Sequence, residues 1–411
     1  MITKPFILDE TGQKMLDAMT QQNAFLQVIA GEKYTTMVSD IKQVLGIVRA
    51  GLAPKVFNIG DQLIWKWKDV ADSNKEYTVP VDIVHFGTST LEDGEELPSM
   101  TIQWHYATPF SVQFSNYQAF YYAAETLQAG TYNVELGTTW GKNCVAGKSY
   151  SFTLTKPVPK GGQLAGFRNA PDQAPSNWKV YSYESNTAKD PIETVSVTEG
   201  ATGTKLGVLK TGGDGTLNCL QRTAYGYNRW AQSALRQWLN SDAGVGLWWL
   251  PQNNFDRCPD QLATKAGFLT GFDEDIRAAL RAVKVTTALN TVTDFVTGSG
   301  LESPLEVTYD KIFVPSLEQM YITPQLAGEG EVWEYWRRAS GMTTKMSQGK
   351  TYPKIRSFAV EDHTKAQYVR LRSAGRGGSY SAWYVSADGN VGNYYYGAIS
   401  ASRCDPACEL C

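Results

Sequence analysis

The chain has 411 residues, with 38 Lys and Arg against 41 Asp and Glu, for a formal net charge of −3. That length suits two or three domains, and the near-balanced charge leaves no electrostatic footprint for nucleic acid or an anionic membrane surface. No stretch approaches the roughly 18 apolar residues of a spanning helix, so no membrane insertion is expected.

The opening Met1-Ile2-Thr3-Lys4-Pro5-Phe6 lacks an apolar signal-peptide core. Synthesis in the cytoplasm is expected, with no signal peptide, and any route outside runs through a particle released by lysis. Residues 9–50 read as helical. Met37, Ile41, Val44 and Val48 recur every three or four positions with Leu45 beside them, a one-sided apolar stripe. Gly51 and Pro54 end it. Residues 1–54 thus form an N-terminal helical segment, with two readings open: packing on its own domain, or oligomerisation or docking.

From Lys55 to Tyr122 the texture turns to strands. Leu63 to Trp67, Tyr77 to Phe86, Thr101 to Tyr106 and Val112 to Phe114 are β-rich runs punctuated by Pro80 and Asp93-Gly94. Residues 123–212 alternate with turn signals. Thr131 to Leu136, Tyr150 to Leu154, Thr194 to Val197 and Leu206 to Leu209 read as half-buried strands. Short strands so spaced predict a small β-sandwich, immunoglobulin-like or similar, either as an insertion or as an independent domain.

Helices return after Gly213. Trp230, Ala234 and Trp238, with Leu235 and Leu239, share one face, and Asn228 is the expected N-cap. Phe272, Ile276, Ala279, Leu280 and Val283 share another, and Asp273, Glu274 and Asp275 fit its first turn, where carboxylates suit the helix dipole. Lys311 to Pro315 reads as a strand, and Ser316 as the cap of a short helix.

Residues that carry chemistry are sparse. His85, His105 and His363 stand alone, and no nucleophile elbow, H-E-x-x-H or Walker A run occurs, so no enzyme is expected. Glu92, Asp93, Glu95 and Glu96 make a solvated acidic turn. Cys144, Cys219 and Cys258 are isolated. Cys404, Cys408 and Cys411 cluster but lack the fourth ligand of a zinc site, so reduced, partly buried thiols are expected, with no metal and no cofactor.

The most distinctive stretch runs from Gly377 to Ser402. It is almost all Tyr, Ser, Gly, Ala and Asn, and Asp388 is its single charge. Rigid amphipathic aromatics among small polar residues make the mixture of a paratope, and Tyr and Trp are also the usual interface hot spots. The alternative reading is a Tyr-rich edge hairpin packed on its own domain.

The flanks give this stretch a frame. It is preceded by Leu371-Arg372-Ser373-Ala374 and Gly375-Arg376, contains Ala382-Trp383-Tyr384-Val385 and Asp388-Gly389-Asn390-Val391, and closes on Arg403-Cys404-Asp405-Pro406-Ala407-Cys408. This frame, over roughly the last 40 residues, resembles the variable proteins of diversity-generating retroelements in phages and prophages of gut Firmicutes. Phe57 to Asp61, Ala231 to Asn240 and Asp310 to Phe313 are also similar to runs in those proteins. Arg376 to Ser379 is similar to a run in formylglycine-generating enzymes, whose cysteine-based copper site finds no matching cysteine pair here.

The resemblance implies an α+β, C-type-lectin-like domain, assembled from residues 55–122 and 213–411 and carrying residues 123–212 as its insertion. Lectin names a fold here and implies no sugar binding. Residues 371–411 would be the variable region. Template asparagine codons mutated at adenines yield Tyr, Ser, Gly, Ala, Ile, Asp and others, but not Trp. Trp383 is then a framework residue packed into the fold. The diversified contact positions would be Tyr384, Ser386, Gly392, Tyr394, Tyr395, Tyr396, Ile399, Ala401 and Ser402, with Tyr380 and Asp405 added.

The implied function is hypervariable ligand binding by a phage receptor-binding or tail-associated protein in the virion. Its partner would be a bacterial cell-surface protein or glycan, with copies of itself or other tail proteins as further partners. The alternative is a fixed structural protein of the particle.

Overall fold

The computed structural model describes residues 40–116, 120–123, 125–137, 145–160, 162–164, 177–181, 192–209, 220–223, 228–250, 258–289, 305–338, 358–375, 381–387 and 396–411. It is a mixed, sheet-rich molecule with few and short helices.

Helix α1, Ile41–Arg49, opens at Asp40, whose side chain accepts the Lys42 N–H at 2.9 Å. Ile41, Val44, Leu45, Ile47 and Val48 are its buried face, which packs on the core. That is the expected stripe, apart from Met37, which lies outside the described residues. Gly51 ends the helix with φ +67°, a backbone region open to glycine at little cost, and donates to the Val48 carbonyl. A single turn, α2, follows at Ala53–Val56.

Strands β1 (Gln62–Lys68), β2 (Glu76–Thr90) and β3 (Glu96–Trp104) form an antiparallel meander. In β1 the side chains alternate: Leu63, Trp65 and Trp67 point inward, while Ile64 and Lys66 face solvent. The fourth strand of this sheet comes from the far end of the chain and is described below.

Residues 120–223 supply eight strands: β4 (Phe120–Ala123), β5 (Gly130–Leu136), β6 (Ser149–Leu154), β7 (Gln163–Leu164), β8 (Asn177–Tyr181), β9 (Glu193–Glu199), β10 (Thr204–Leu209) and β11 (Leu220–Thr223). They pair in the continuous order β10-β5-β6-β9-β8-β7-β4-β11. The link is β9, whose first residues pair with β8 and whose last pair with β6. Val134, Phe152, Leu154, Val180, Val195 and Leu206 belong to a hydrophobic cluster of this unit's own. The chain enters and leaves the unit through neighbouring antiparallel strands, with Ala123 opposite Leu220.

Beyond it, α3 (Ala234–Leu239) is capped by Ser233, whose hydroxyl accepts the Arg236 N–H at 3.1 Å. The expected cap, Asn228, lies too far upstream and is used elsewhere. Helix α4 (Glu274–Ala279) is shorter than expected: Asp273 caps it from outside, its carboxylate accepting the Ile276 N–H at 2.8 Å, Phe272 precedes it, and Val283 belongs to the next strand. Strands β12 (Val283–Ala288) and β13 (Leu305–Asp310) pair antiparallel, and α5 (Glu334–Arg338) is a short helix. Lys311 to Pro315 forms no strand. Only Phe313 bridges, to Ala407, and the Asn240 side chain takes the Lys311 and Ile312 N–H groups instead.

The last elements are β14 (Phe358–Ala359), β15 (Asp362–Ala366), β16 (Val369–Ala374), β17 (Ser381–Val385), β18 (Tyr396–Gly397), β19 (Arg403–Cys404) and β20 (Ala407–Leu410). Strand β20 completes the first sheet against β3, with Cys408 opposite Ile102. Described residues from Ile41 to Phe114 and from Trp230 to Cys411 therefore share one core. At its centre Trp67 stacks on Phe268 with centroids 5.1 Å apart, and Trp104 and Trp238 also contact the Phe268 ring. No helix among the described residues is long and apolar enough to cross a membrane.

Candidate functional site

The tyrosine-rich stretch is held by a second four-stranded sheet, in the order β18-β17-β16-β19. In β17 and β18, Ala382 faces Tyr396 and Ser381 faces Gly397. The register makes residues 386–395 the connection between these two strands. The base of that connection is built to stay fixed.

All of β16 is buried, including the full side chains of Arg370 and Arg372. A buried guanidinium is costly unless its donors are engaged. Arg370 Nη1 donates to the Ala382 carbonyl at 3.0 Å, on one side of the connection. Its Nη2 donates to the carbonyls of Gly397 at 3.2 Å and Ser400 at 2.9 Å, on the other. One side chain thus ties together both ends of the segment.

The run Asn228-Arg229-Trp230 links the same sheet to β13. Asn228 Nδ2 donates to the Gly375 and Ser381 carbonyls, at the end of β16 and the start of β17. Arg229 pairs with Glu306 at 2.7 Å with both groups buried, and Trp230 Nε1 donates to Asp310 at 2.8 Å. Ser373 accepts the Leu317 N–H at 3.0 Å and donates to Glu329 at 2.6 Å. Charge-assisted bonds of this kind fix geometry as well as energy.

Trp383 is buried, and its Nε1 donates to Gln325 Oε1 at 3.3 Å, in keeping with a framework role. The expected contact positions divide. Ser386 and Ile399 are half-buried and Ala401 is exposed. Tyr384 is buried, because β17 runs between β16 and β18, and its ring packs edge-on against Tyr368 at 5.4 Å. Ser402 is buried, since its backbone pairs in both directions with Val112. Asp405 is buried in the short link from β19 to β20. These three belong to the base of the site, not to an outward face. Tyr396 has only its backbone described, paired to Ala382. Tyr380, Gly392, Tyr394 and Tyr395 lie outside the described residues.

Sequence reasoning missed Arg370 and Tyr368 and gave Asn228 the wrong role, as a helix cap. The alternation Val369-Arg370-Leu371-Arg372 looks like a half-exposed strand, so nothing in it announces that both arginines are interior. Among the described residues, Tyr368, 45% exposed, presents surface next to β17.

The clustered thiols are buried and unpaired by disulfides. Burial pushes the Cys404 thiol up to about 12, against a weaker opposing hydrogen bond from Thr108. Burial likewise raises Cys408 and Cys411. Protonated, enclosed sulfurs are poor nucleophiles and poor metal ligands.

Residues 216–410 match the model of a protein family described as a domain of unknown function, DUF6273. The match takes in β11 and α3 to β20 and leaves out β1 to β3, which share the core of α3 to β20. No curated protein and no solved structure matches the chain.

Proposed function

We propose that this chain is a hypervariable binding protein, a variable protein of the diversity-generating-retroelement kind with a C-type-lectin-like core, carried on a phage particle. Its C-terminal connection, residues 386–395 with Ile399 and Ala401 beside it, presents the contact surface. The ligand is a protein or glycan on a bacterial surface, met by several copies at once, so that avidity multiplies a modest single-site affinity.

One observation carries this reading. The Arg370 guanidinium ties Ala382 to Gly397 and Ser400, so the ends of the tyrosine-rich segment are held by backbone carbonyls, which every residue type supplies. Side chains of the connection beyond the buried strand Ser381–Val385 can change without loss of the anchor. The composition of that segment supports the same reading, since it combines tyrosines with Ser, Gly, Ala and Asn and holds no Lys or Glu. Contact would rest on apolar burial and hydrogen bonds and depend weakly on salt. The reading assigns no catalytic role.

The test is attachment of the purified protein to host cells, compared with a Tyr394→Ala, Tyr395→Ala, Tyr396→Ala triple variant. Attachment should fall sharply in the variant at unchanged melting temperature. A folded triple variant that attaches as well as the parent defeats the reading. The genome gives a second check: a near-copy of codons 370 to 411 differing at template adenines, beside a reverse-transcriptase gene. Its absence favours the fixed structural protein.

A further inference from the structure

Away from the C-terminal hairpin, a cavity of about 240 Å³ is walled by β2, β3, β12, β20 and the loop before α5. Two carboxyl groups stand inside it. Glu329 is buried and accepts the Ala288 N–H at 3.0 Å and the Ser373 hydroxyl at 2.6 Å. Glu409, on β20, accepts the Ser89 hydroxyl of β2. A third carboxylate, Glu331, sits at the mouth with its side chain 84% exposed, 3.3 Å from His85 Nε2.

One guanidinium faces the two inner carboxyls, and its donors are already engaged. Arg372 Nε donates to Thr287 Oγ1, Nη1 to the Val314 carbonyl and Gln319 Oε1, and Nη2 to the carbonyls of Thr286 and Glu329. A guanidinium has five N–H donors, and these bonds take all of them. Arg372 therefore lends the cavity positive charge but offers no N–H to an anionic ligand. Lys284 joins the lining from an outward-facing position of β12.

The interior thus holds two carboxyls against one guanidinium. Ionising both leaves one negative charge without a buried counter-ion, which is expensive away from water. Burial accordingly raises both groups, Glu409 to about 7 against Ser89 and Arg372, and Glu329 against Arg372 and Ser373. A proton is one way to neutralise the excess. A cation is the other.

We propose that this cavity binds a small primary ammonium compound, its N–H groups donating to Glu409 and Glu329 and its body lying among the hydroxyls of Ser89, Thr101 and Thr286. An ammonium group carries three donors and no acceptor, matching a wall of carboxylates and hydroxyls. The cavity volume suits a ligand of up to roughly ten heavy atoms. A metal ion fits less well, because no three His, Cys, Asp or Glu groups among the described residues are placed to hold one.

Entry of the cation displaces the proton from Glu409, so affinity rises with pH. Other charged or titratable groups on the cavity wall are His85 on β2, Lys284 on β12, Glu329 and Glu331 in the loop, and Arg372 on β16. Removing the Glu409 carboxyl separates its titration from theirs.

The experiment is calorimetric titration of the whole chain with ethanolammonium chloride, at constant ionic strength set with sodium chloride. Ethylene glycol, which lacks the charge, and tetramethylammonium, which lacks the N–H donors, serve as parallel probes. Ethanolammonium should bind saturably, about tenfold more tightly near pH 8 than near pH 6, following the ionised fraction of a group titrating near 7. The parallel probes should show no saturable binding. Glu409→Gln should weaken ethanolammonium about tenfold and flatten the pH dependence. Glu331→Gln, at the exposed mouth and harmless to the core, should weaken it about twofold. The proposal is overturned by the absence of saturable ethanolammonium binding, or by ethylene glycol binding equally well. Unchanged affinity in folded Glu409→Gln overturns it too, and if that variant fails to fold, unchanged affinity in Glu331→Gln does so.

Discussion

Arg370 reaches Ser400 across the tyrosine-rich segment, its Nη2 donating to the Ser400 carbonyl at 2.9 Å from a fully buried position in β16. The same side chain holds Ala382 and Gly397. Replacing it by an apolar residue removes the partner of one buried and two half-buried carbonyls, a buried one costing about 1–3 kcal/mol when left unpaired. Arg370→Leu should therefore lower stability by roughly 3 kcal/mol or more in urea denaturation, while Ala401→Ser, at an exposed position, should stay within about 0.5 kcal/mol.

Core and contact residues should separate by stability. Trp238 is buried, packs on Phe110 and Phe268, and donates through Nε1 to the Ala266 carbonyl at 3.0 Å. Trp238→Ala should cost roughly 3–5 kcal/mol. On the proposed function, Tyr395→Ala should leave stability nearly unchanged and reduce binding instead. Equal thermal destabilisation by the two variants would place the tyrosine in the core.

Close approach at Gly271 makes a sharp packing test. A Cβ there would lie 2.4 Å from the Lys68 carbonyl oxygen and 2.4 Å from Trp67 Nε1. The first contact is backbone, and the Trp67 ring is fixed by a 2.9 Å bond from Nε1 to the Phe268 carbonyl. Gly271→Ala should cost about 1–3 kcal/mol, read as a fall in the denaturation midpoint.

Glu409 should make stability depend on pH in a definite direction. Its folded value, about 7, lies above the ordinary 4.5, so the folded state holds the proton more tightly than the unfolded chain. Stability linked to this group is fully present below the ordinary value and is lost as pH rises through the folded one. Between about pH 4.5 and about pH 7 the parent should lose stability relative to Glu409→Gln. Parallel pH–stability curves for the two proteins would contradict the assignment.

The buried thiols should be silent in the native protein. With Cys404 pushed up to about 12 and Cys408 raised by burial, a pulse of iodoacetamide at neutral pH should leave both unmodified by mass spectrometry. Both should react after unfolding in guanidinium. Rapid native labelling of Cys408 would show that β20 opens from β3.

Periodicity and capping chemistry settle local structure by themselves, because both depend on near neighbours in the chain. The stripe Ile41, Val44 and Val48 announces α1, Asp273 announces the start of α4, and the alternation Leu63, Trp65, Trp67 announces β1. The composition of residues 377–402 marks that segment as unusual before any fold is known, yet within it Ser381–Val385 forms a fully buried strand of the core. What closes on what is another matter. The Glu409 side chain reaches the Ser89 hydroxyl across 320 positions because β20 pairs with β3 through backbone groups. The burial of Tyr384, Ser402 and Asp405 follows from strands and links laid over them, which residue type does not encode. The buried arginines show the limit most plainly. Their partners are largely carbonyl oxygens, so no complementary acid in the sequence points to them. Only the tertiary arrangement, by excluding water around β16, turns two ordinary strand arginines into the clamp of the hairpin and a buried positive charge on the cavity wall.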